Sequence, residues 1–275
     1  MKIKKTIIVL LLCFLPVAPS FAQKVGEALS AWKEGYMDIH HINTGCGECA
    51  YIIFPDGTTM LVDAGENKAD NPRHVLPKPN AGRTPGEWIV DYIQAMAPDQ
   101  NQKLDYALIT HFHSDHMGGV FKTKNESGRY YNTGIITVAE NIRINKLVDR
   151  GFPDYKFLVN TEDKMIKNYF NFLHFTKRRI HVEQFRPGVE NQFKLLHDSI
   201  RYAGSFSVQN LYANGWLWTG KEQETKYLFP DFSTLEKYDI PQENTLSCAL
   251  KITYGKFSYY TGGDVTGYPK PGRSR

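Results

Sequence analysis

The chain has 275 residues, 33 of them Lys or Arg and 29 Asp or Glu, for a formal charge of +4. Three of those charges are Lys2, Lys4 and Lys5, so the rest of the chain stands at +1 and offers no broad footprint for a polyanion. Beyond residue 22 no stretch approaches the roughly 20 apolar residues of a membrane span, and three remaining cysteines are no disulfide framework.

The basic start, the apolar run 7–15 and Ser20-Phe21-Ala22 predict a secretory signal peptide over residues 1–22. Export to the periplasm or the extracellular space follows, with no membrane partner after cleavage. Residues 23–275 read as one α/β domain, because strands and helices alternate without repeat or low-complexity linker. Cys46-Gly47-Glu48-Cys49 has the spacing of redox and zinc sites. It is a single pair ahead of a hairpin, however, and reads as a local disulfide or two incidental thiols. Residues 50–54, the turn Pro55-Asp56-Gly57 and residues 58–63 read as strand, turn, strand.

Thr84-Pro85-Gly86-Glu87 predicts a capped helix running to about Met96. Residues 104–110 form a buried strand. Residues 160–175 read as a helix with Met165, Tyr169, Phe172 and Leu173 on one face. Trp216 and Trp218 alternate along a strand, either packing on a sheet or presenting a stacking surface. Leu246, Cys248, Leu250, Ile252 and Tyr254 alternate with smaller or polar residues, predicting a half-buried strand. Gly255-Lys256 then turns into a partner strand over 257–261.

The most informative stretch follows the strand at 104–110. His111, His113, Asp115 and His116 lie within six residues and are followed by Gly118-Gly119. Neutral imidazole and carboxylate are donors that zinc and its neighbours accept. A loop after a strand lets such side chains converge, and two glycines let the following backbone approach closely.

This run resembles the H-x-H-x-D-H signature of the metallo-β-lactamase superfamily. Leu61-Val62-Asp63-Ala64-Gly65 upstream and Tyr260-Thr261-Gly262-Gly263-Asp264 downstream resemble two further motifs in the same order. Within the superfamily, 41–45 and 243–247 resemble the branch of competence-type DNA-uptake nuclease domains. The resemblance implies an αββα sandwich with a metal cleft at one edge. It implies His111 and His113 on a first ion, Asp115 and His116 on a second, and Asp264 bridging the two. Asp63 is expected behind the ligands, where carboxylates orient imidazoles, and Asn244 or Ser247 beside them. Asp115 would position and deprotonate the nucleophilic water. Zinc is expected first, one or two ions, and the same donors accept manganese or iron.

Two departures accompany the resemblance. The usual further first-ion histidine has only His174, His181 or His197 as candidates, His197 being the best placed. No histidine follows Asp264, so the chain reads as C-terminally incomplete. The implied function is an exported metal-dependent hydrolase acting on a small molecule or phosphodiester, with no stable nucleic-acid partner. Lactones and β-lactams are alternative substrates, and a degenerate metal-binding recognition module is the alternative function.

Overall fold

The computed structural model describes residues 26–66, 75–76, 78–98 and 103–266. The expected signal peptide and the tail from residue 267 lie outside the described residues. Two compact units divide at residue 31; residues 26–31 of the first carry no helix or strand, and every element belongs to the second.

β1 (Asp38–His41), β2 (Ala50–Ile53) and β3 (Thr59–Val62) make an antiparallel meander. The expected turn forms between the last two: Gly57 adopts φ +84°, and the Asp56 carboxylate accepts from the Thr58 N–H. Both strands are buried on both faces, so their apolar residues run on without alternating. α1 (Pro85–Met96) starts on the expected capping box. Thr84 Oγ1 accepts from the Glu87 N–H at 3.3 Å, and the Glu87 carboxylate accepts from the Thr84 N–H at 2.7 Å.

β4 (Leu104–Leu108) lies parallel to β3 and leads into the one-turn α2 (Ser114–Met117). A small ribbon of β5 (Thr123–Lys124) and β6 (Tyr131–Asn132) precedes α3 (Ile135–Asn141). β7 (Ile144–Asp149) adds parallel to β4. α4 (Lys164–Thr176) begins later than its apolar periodicity suggests. Asp163 supplies the cap, accepting from the Met165 and Ile166 N–H groups, while Asn160 closes a turn onto the Glu162 N–H. β8 (His181–Gln184) completes a six-stranded sheet in the order β1-β2-β3-β4-β7-β8.

The second sheet is antiparallel throughout. β9 (Phe206–Ala213), β10 (Trp216–Trp218), β11 (Thr225–Tyr227), β12 (Ala249–Tyr254) and β13 (Phe257–Thr261) pair in the order β11-β10-β9-β12-β13. Leu246, expected in the β12 strand, sits instead in a 3₁₀ turn over Glu243–Leu246 that leads into it.

Successive side chains of the first sheet point to opposite faces and divide its packing. Tyr51, Ile53, Leu61 and Ala107 pack with Ile89 and Ile93 of α1, Ile135 and Val138 of α3, and Tyr169 and Phe172 of α4. Ile52, Met60, Val62 and Leu108 face the other way, onto Val208, Leu250 and Ile252 of the second sheet. A Val, Leu, Ile, Phe or Met side chain contributes about 1.5–3 kcal/mol when fully buried. The result is a mixed α/β sandwich of helices, sheet and sheet. Among the described residues α1, α3 and α4 all pack on the first sheet, on the face away from the second.

At the β7–β8 edge Glu183 is partly buried, which disfavours its charge. Lys146 at 2.8 Å, Gln192 and His181 outweigh that and hold its carboxyl at about 2. Its unfolded value is higher, so the stabilisation is present above about pH 4.5 and is lost as pH falls toward 2. Glu183→Gln should therefore unfold at a lower temperature than wild type near pH 6, and the gap should close on titration toward pH 2. A gap independent of pH would show that the charge contributes nothing.

Candidate metal centre

β3 and β4 end at the same edge, with Val62 beside Leu108. Beyond β3, Asp63 turns the chain in a left-handed conformation, φ +60°, that short polar side chains tolerate best after glycine. The residues that follow then strap the histidine loop. Ala64 N–H donates to His116 O at 2.7 Å and Glu66 N–H to Ser114 O at 3.0 Å. From the other side Glu48 N–H donates to Asp115 O at 2.9 Å, and Gly65 N–H to Glu48 O at 3.0 Å. Two glycines make this contact possible: a Cβ on Gly47 or Gly65 would lie 1.8 or 2.1 Å from Asp115 O.

The second sheet reaches the loop at Thr110, whose carbonyl accepts from the Cys248 N–H at 2.8 Å. β13 ends at Thr261, and Gly262-Gly263 brings Asp264 across. Gly263, at φ +50°, passes so close that a Cβ there would meet Thr110 Oγ1 at 2.5 Å.

These anchors gather His111, His113, His116 and Asp264 at one place. The His111 and His116 rings lie 4.1 Å apart, and His111 Nε2 is 3.1 Å from His113 Nδ1. His116 Nε2 is 3.3 Å from Asp264 Oδ1. One donor atom from each of His111, His116 and Asp264 lies within 4.8 Å of the other two. His111 and His116 are buried, whereas Asp264 is 41% exposed and opens the group to solvent.

Asp63 is fully buried behind them. Its carboxylate accepts from the Thr110 N–H at 2.8 Å and Thr110 Oγ1 at 2.7 Å, and lies 2.8 Å from His116 Nδ1. The hydrogen bond at Nδ1 leaves Nε2 facing Asp264. Burial disfavours the His116 imidazolium, but Asp63, with Asp264 and Asp115, raises its pKa to about 9. Burial and the neighbouring charges of His116, His113 and Arg150 take His111 down to about 2. Burial likewise pushes the Asp63 carboxyl up, against the pull of His116 and Thr110.

The Asp115 carboxylate is half-buried and electrostatically felt at His116, yet stays outside the tight three-residue group. Asn244 neighbours His111, with its Oδ1 buried beside the ring. Ser247 donates to Asn244 O at 2.7 Å and so braces that turn. The three spare histidines lie elsewhere. His174 packs edge-on to Phe175 in α4, and His181 is exposed beside Glu183. His197 lies 3.8 Å from Asp105 at the start of β4, the edge opposite the centre.

Several residues of the centre's surroundings were not anticipated. Glu48 gathers with Asp63 and His116 in a second group of potential donors. Arg150 is fully buried, and Glu243 accepts both from it and, at 2.8 Å, from the Phe112 N–H inside the loop. Cys46, Cys49 and Cys248 are free thiols, so the cysteine pair forms no disulfide. Burial raises the Cys49 pKa well above its ordinary value, so the free thiol is protonated.

A neutral His111 ring, His116 Nε2 and a solvent-open carboxylate fit a divalent ion of the zinc type. The buried Asn244 Oδ1 adds an acceptor beside them. The arrangement defines a histidine–aspartate centre at the edge of two packed sheets. The sequence model of the metallo-beta-lactamase superfamily matches residues 43–128, which include the whole histidine loop and Asp63. No curated protein matches the chain. Among solved structures it is similar to hydrolase AbOPH of the beta lactamase superfamily, at 8% identity and TM-score 0.36, over 78% of this chain and 54% of that one. It is also similar to Zn(2+)-bound PqqB from Methylobacterium extorquens, at 11% identity and TM-score 0.32, over 79% and 54%. The chain thus spans about half the length of these structures.

Proposed function

We propose that this chain is an exported metal-dependent hydrolase that cleaves small phosphodiesters with a metal-activated water. The observation that carries the reading is the meeting of His111 and His116 from the first sheet with Asp264 from the second, donor atoms within 4.8 Å. In this reading His111, His113, Asp115, His116 and Asp264 would hold one or two ions. A bound ion of this class lowers the pKa of water from 15.7 to about 7 and so supplies hydroxide at neutral pH. The chain's own residues do the rest. Asp63 fixes the His116 ring, Asn244 lines the wall by His111, and the half-buried Asp115 would orient the water and take its proton.

Zinc is the first expectation, with manganese and iron acceptable to the same donors. The phosphodiester assignment draws on the resemblance to competence-type nuclease domains. The near-neutral charge favours a short substrate over a long polymer. Lactone and β-lactam hydrolysis would use the same chemistry. A recognition module with a degenerate centre is supported by one observation: Trp216, 46% exposed, lies 4.9 Å from the Tyr227 ring and offers a surface for planar groups.

Metal analysis of the purified chain, with turnover of an aryl phosphodiester, a lactone and a cephalosporin, tests the proposal. At least one equivalent of zinc-class metal is expected, with diester turnover abolished by chelation and restored by zinc. Metal without turnover of any of the three favours the recognition module, and absence of metal removes both readings.

A further inference from the structure

Two halves of the centre come from different sheets, and something must set the gap between them. The histidine loop belongs to the first sheet, and Asp264 follows the last strand of the second. Backbone contact at Thr110 docks the sheets on one side of the centre, through the Cys248 N–H. On the other side the seam runs between the β1–β2 edge and β13, where the His41 ring packs 5.8 Å from Tyr259. One side-chain hydrogen bond crosses that seam next to the centre. Thr261 Oγ1 donates to Glu48 Oε1 at 3.1 Å. Thr261 is buried, is the last residue of β13 and lies three positions before Asp264.

Glu48 is itself held rigidly. Its N–H is bonded to Asp115 O and its carbonyl to the Gly65 N–H, so its backbone is fastened to both loops of the first sheet. Gly47 and Gly65 permit this close backbone approach, since a Cβ added at either would lie 1.8 or 2.1 Å from Asp115 O. Its carboxylate gathers with Asp63 and His116; Asp63 is the carboxylate at His116 Nδ1, and Asp264 meets Nε2. Glu48 stands outside the group of His111, His116 and Asp264, which suits a strut better than a donor to a cation held there.

We propose that Glu48 is a positioning residue: through Thr261 it clamps the Asp264-bearing strand to the histidine loop and sets the spacing of the metal donors. The inference rests on the metal reading of the centre given above. It also assigns a use to the segment between Cys46 and Cys49 in which the thiols play no part.

Zinc affinity of the full chain, measured by competition with a chromophoric chelator, tests the clamp without reference to turnover. Glu48→Ala and Thr261→Val should each weaken zinc binding by about 10–100-fold, the range for residues that orient metal ligands. The double variant should be no worse than the weaker single within about twofold, because one interaction is lost only once. Glu48→Gln keeps an acceptor oxygen for Thr261 and should restore most of the affinity. Thermal unfolding of each variant checks folding, and if Glu48→Ala does not fold, Thr261→Val and Glu48→Gln carry the comparison. Glu48→Gln binding as poorly as Thr261→Val, or effects of the two sites that multiply, would overturn the clamp in favour of a direct electrostatic role. Wild-type affinity in Thr261→Val would also overturn it while leaving the metal centre standing. A wild-type chain that takes up no zinc would remove the centre and the clamp together.

Discussion

His116→Ala should lose at least one bound ion per chain, and phosphodiester turnover should fall by at least about 1,000-fold. The imidazole is the one ring that touches both carboxylates, Asp63 through Nδ1 at 2.8 Å and Asp264 through Nε2 at 3.3 Å. Removing it takes away a donor and leaves Asp63, fully buried, with Thr110 but without the imidazole. In the proposed reaction the lost ion returns water to a pKa near 15.7 from about 7, which leaves almost no hydroxide at neutral pH. Metal content and rate are measured on the same sample. A variant that keeps wild-type metal and wild-type rate would place the reactive centre elsewhere in the chain.

The second large effect concerns stability. Arg150 is fully buried, and every guanidinium N–H bond is used. Nε donates to Glu243 Oε1 at 2.7 Å, one terminal nitrogen to Phe157 O and Asn214 Oδ1, the other to Leu158 O and the second Glu243 oxygen. The ring of Phe112 lies under the cation at 4.7 Å. Arg150→Met leaves the Glu243 carboxylate with only the Phe112 N–H and takes a donor from several polar oxygens in a low-dielectric interior. Breaking a buried pair in this way costs about 3–5 kcal/mol. At roughly 2–4 °C per kcal/mol for a large domain, Tm should fall by about 10 °C. Arg150→Lys should recover little, since an ammonium cannot reproduce the five-donor fork. A variant melting with wild type would show that the network is dispensable. Because Glu243 also accepts from the Phe112 N–H, the same substitution should loosen the loop between His111 and His113.

What could be read from the chain follows from distance along it. The capping box at Thr84 and the turn at Gly57 involve neighbours within three residues, and both form as their residue types dictate. The histidine loop was legible for the same reason, as its donors lie within six residues. Asp264 was legible only through its motif, because nothing local marks an aspartate after Gly-Gly as facing a histidine. Arg150 and Glu243 are 93 residues apart, and Glu48 and Thr261 are 213 apart. Which of many charges and hydroxyls meet at such separations is decided by how the sheets dock, and no periodicity announces it. His197 illustrates the converse. Its neighbours Leu195-Leu196 and Asp198 made it the best spare ligand, yet the fold carries it to the far end of β4.

Because the donors are divided between two sheets, an ion seated among them would also act mechanically. It would bridge layers whose remaining contact is largely nonpolar side-chain packing, and sliding one layer past the other would then require letting go of the ion. Folding and metal supply become linked quantities: at a free ion level 100 times its dissociation constant, the native state would gain about 2.7 kcal/mol. A compartment poor in such ions would therefore hold a chain that is less active and also quicker to come apart.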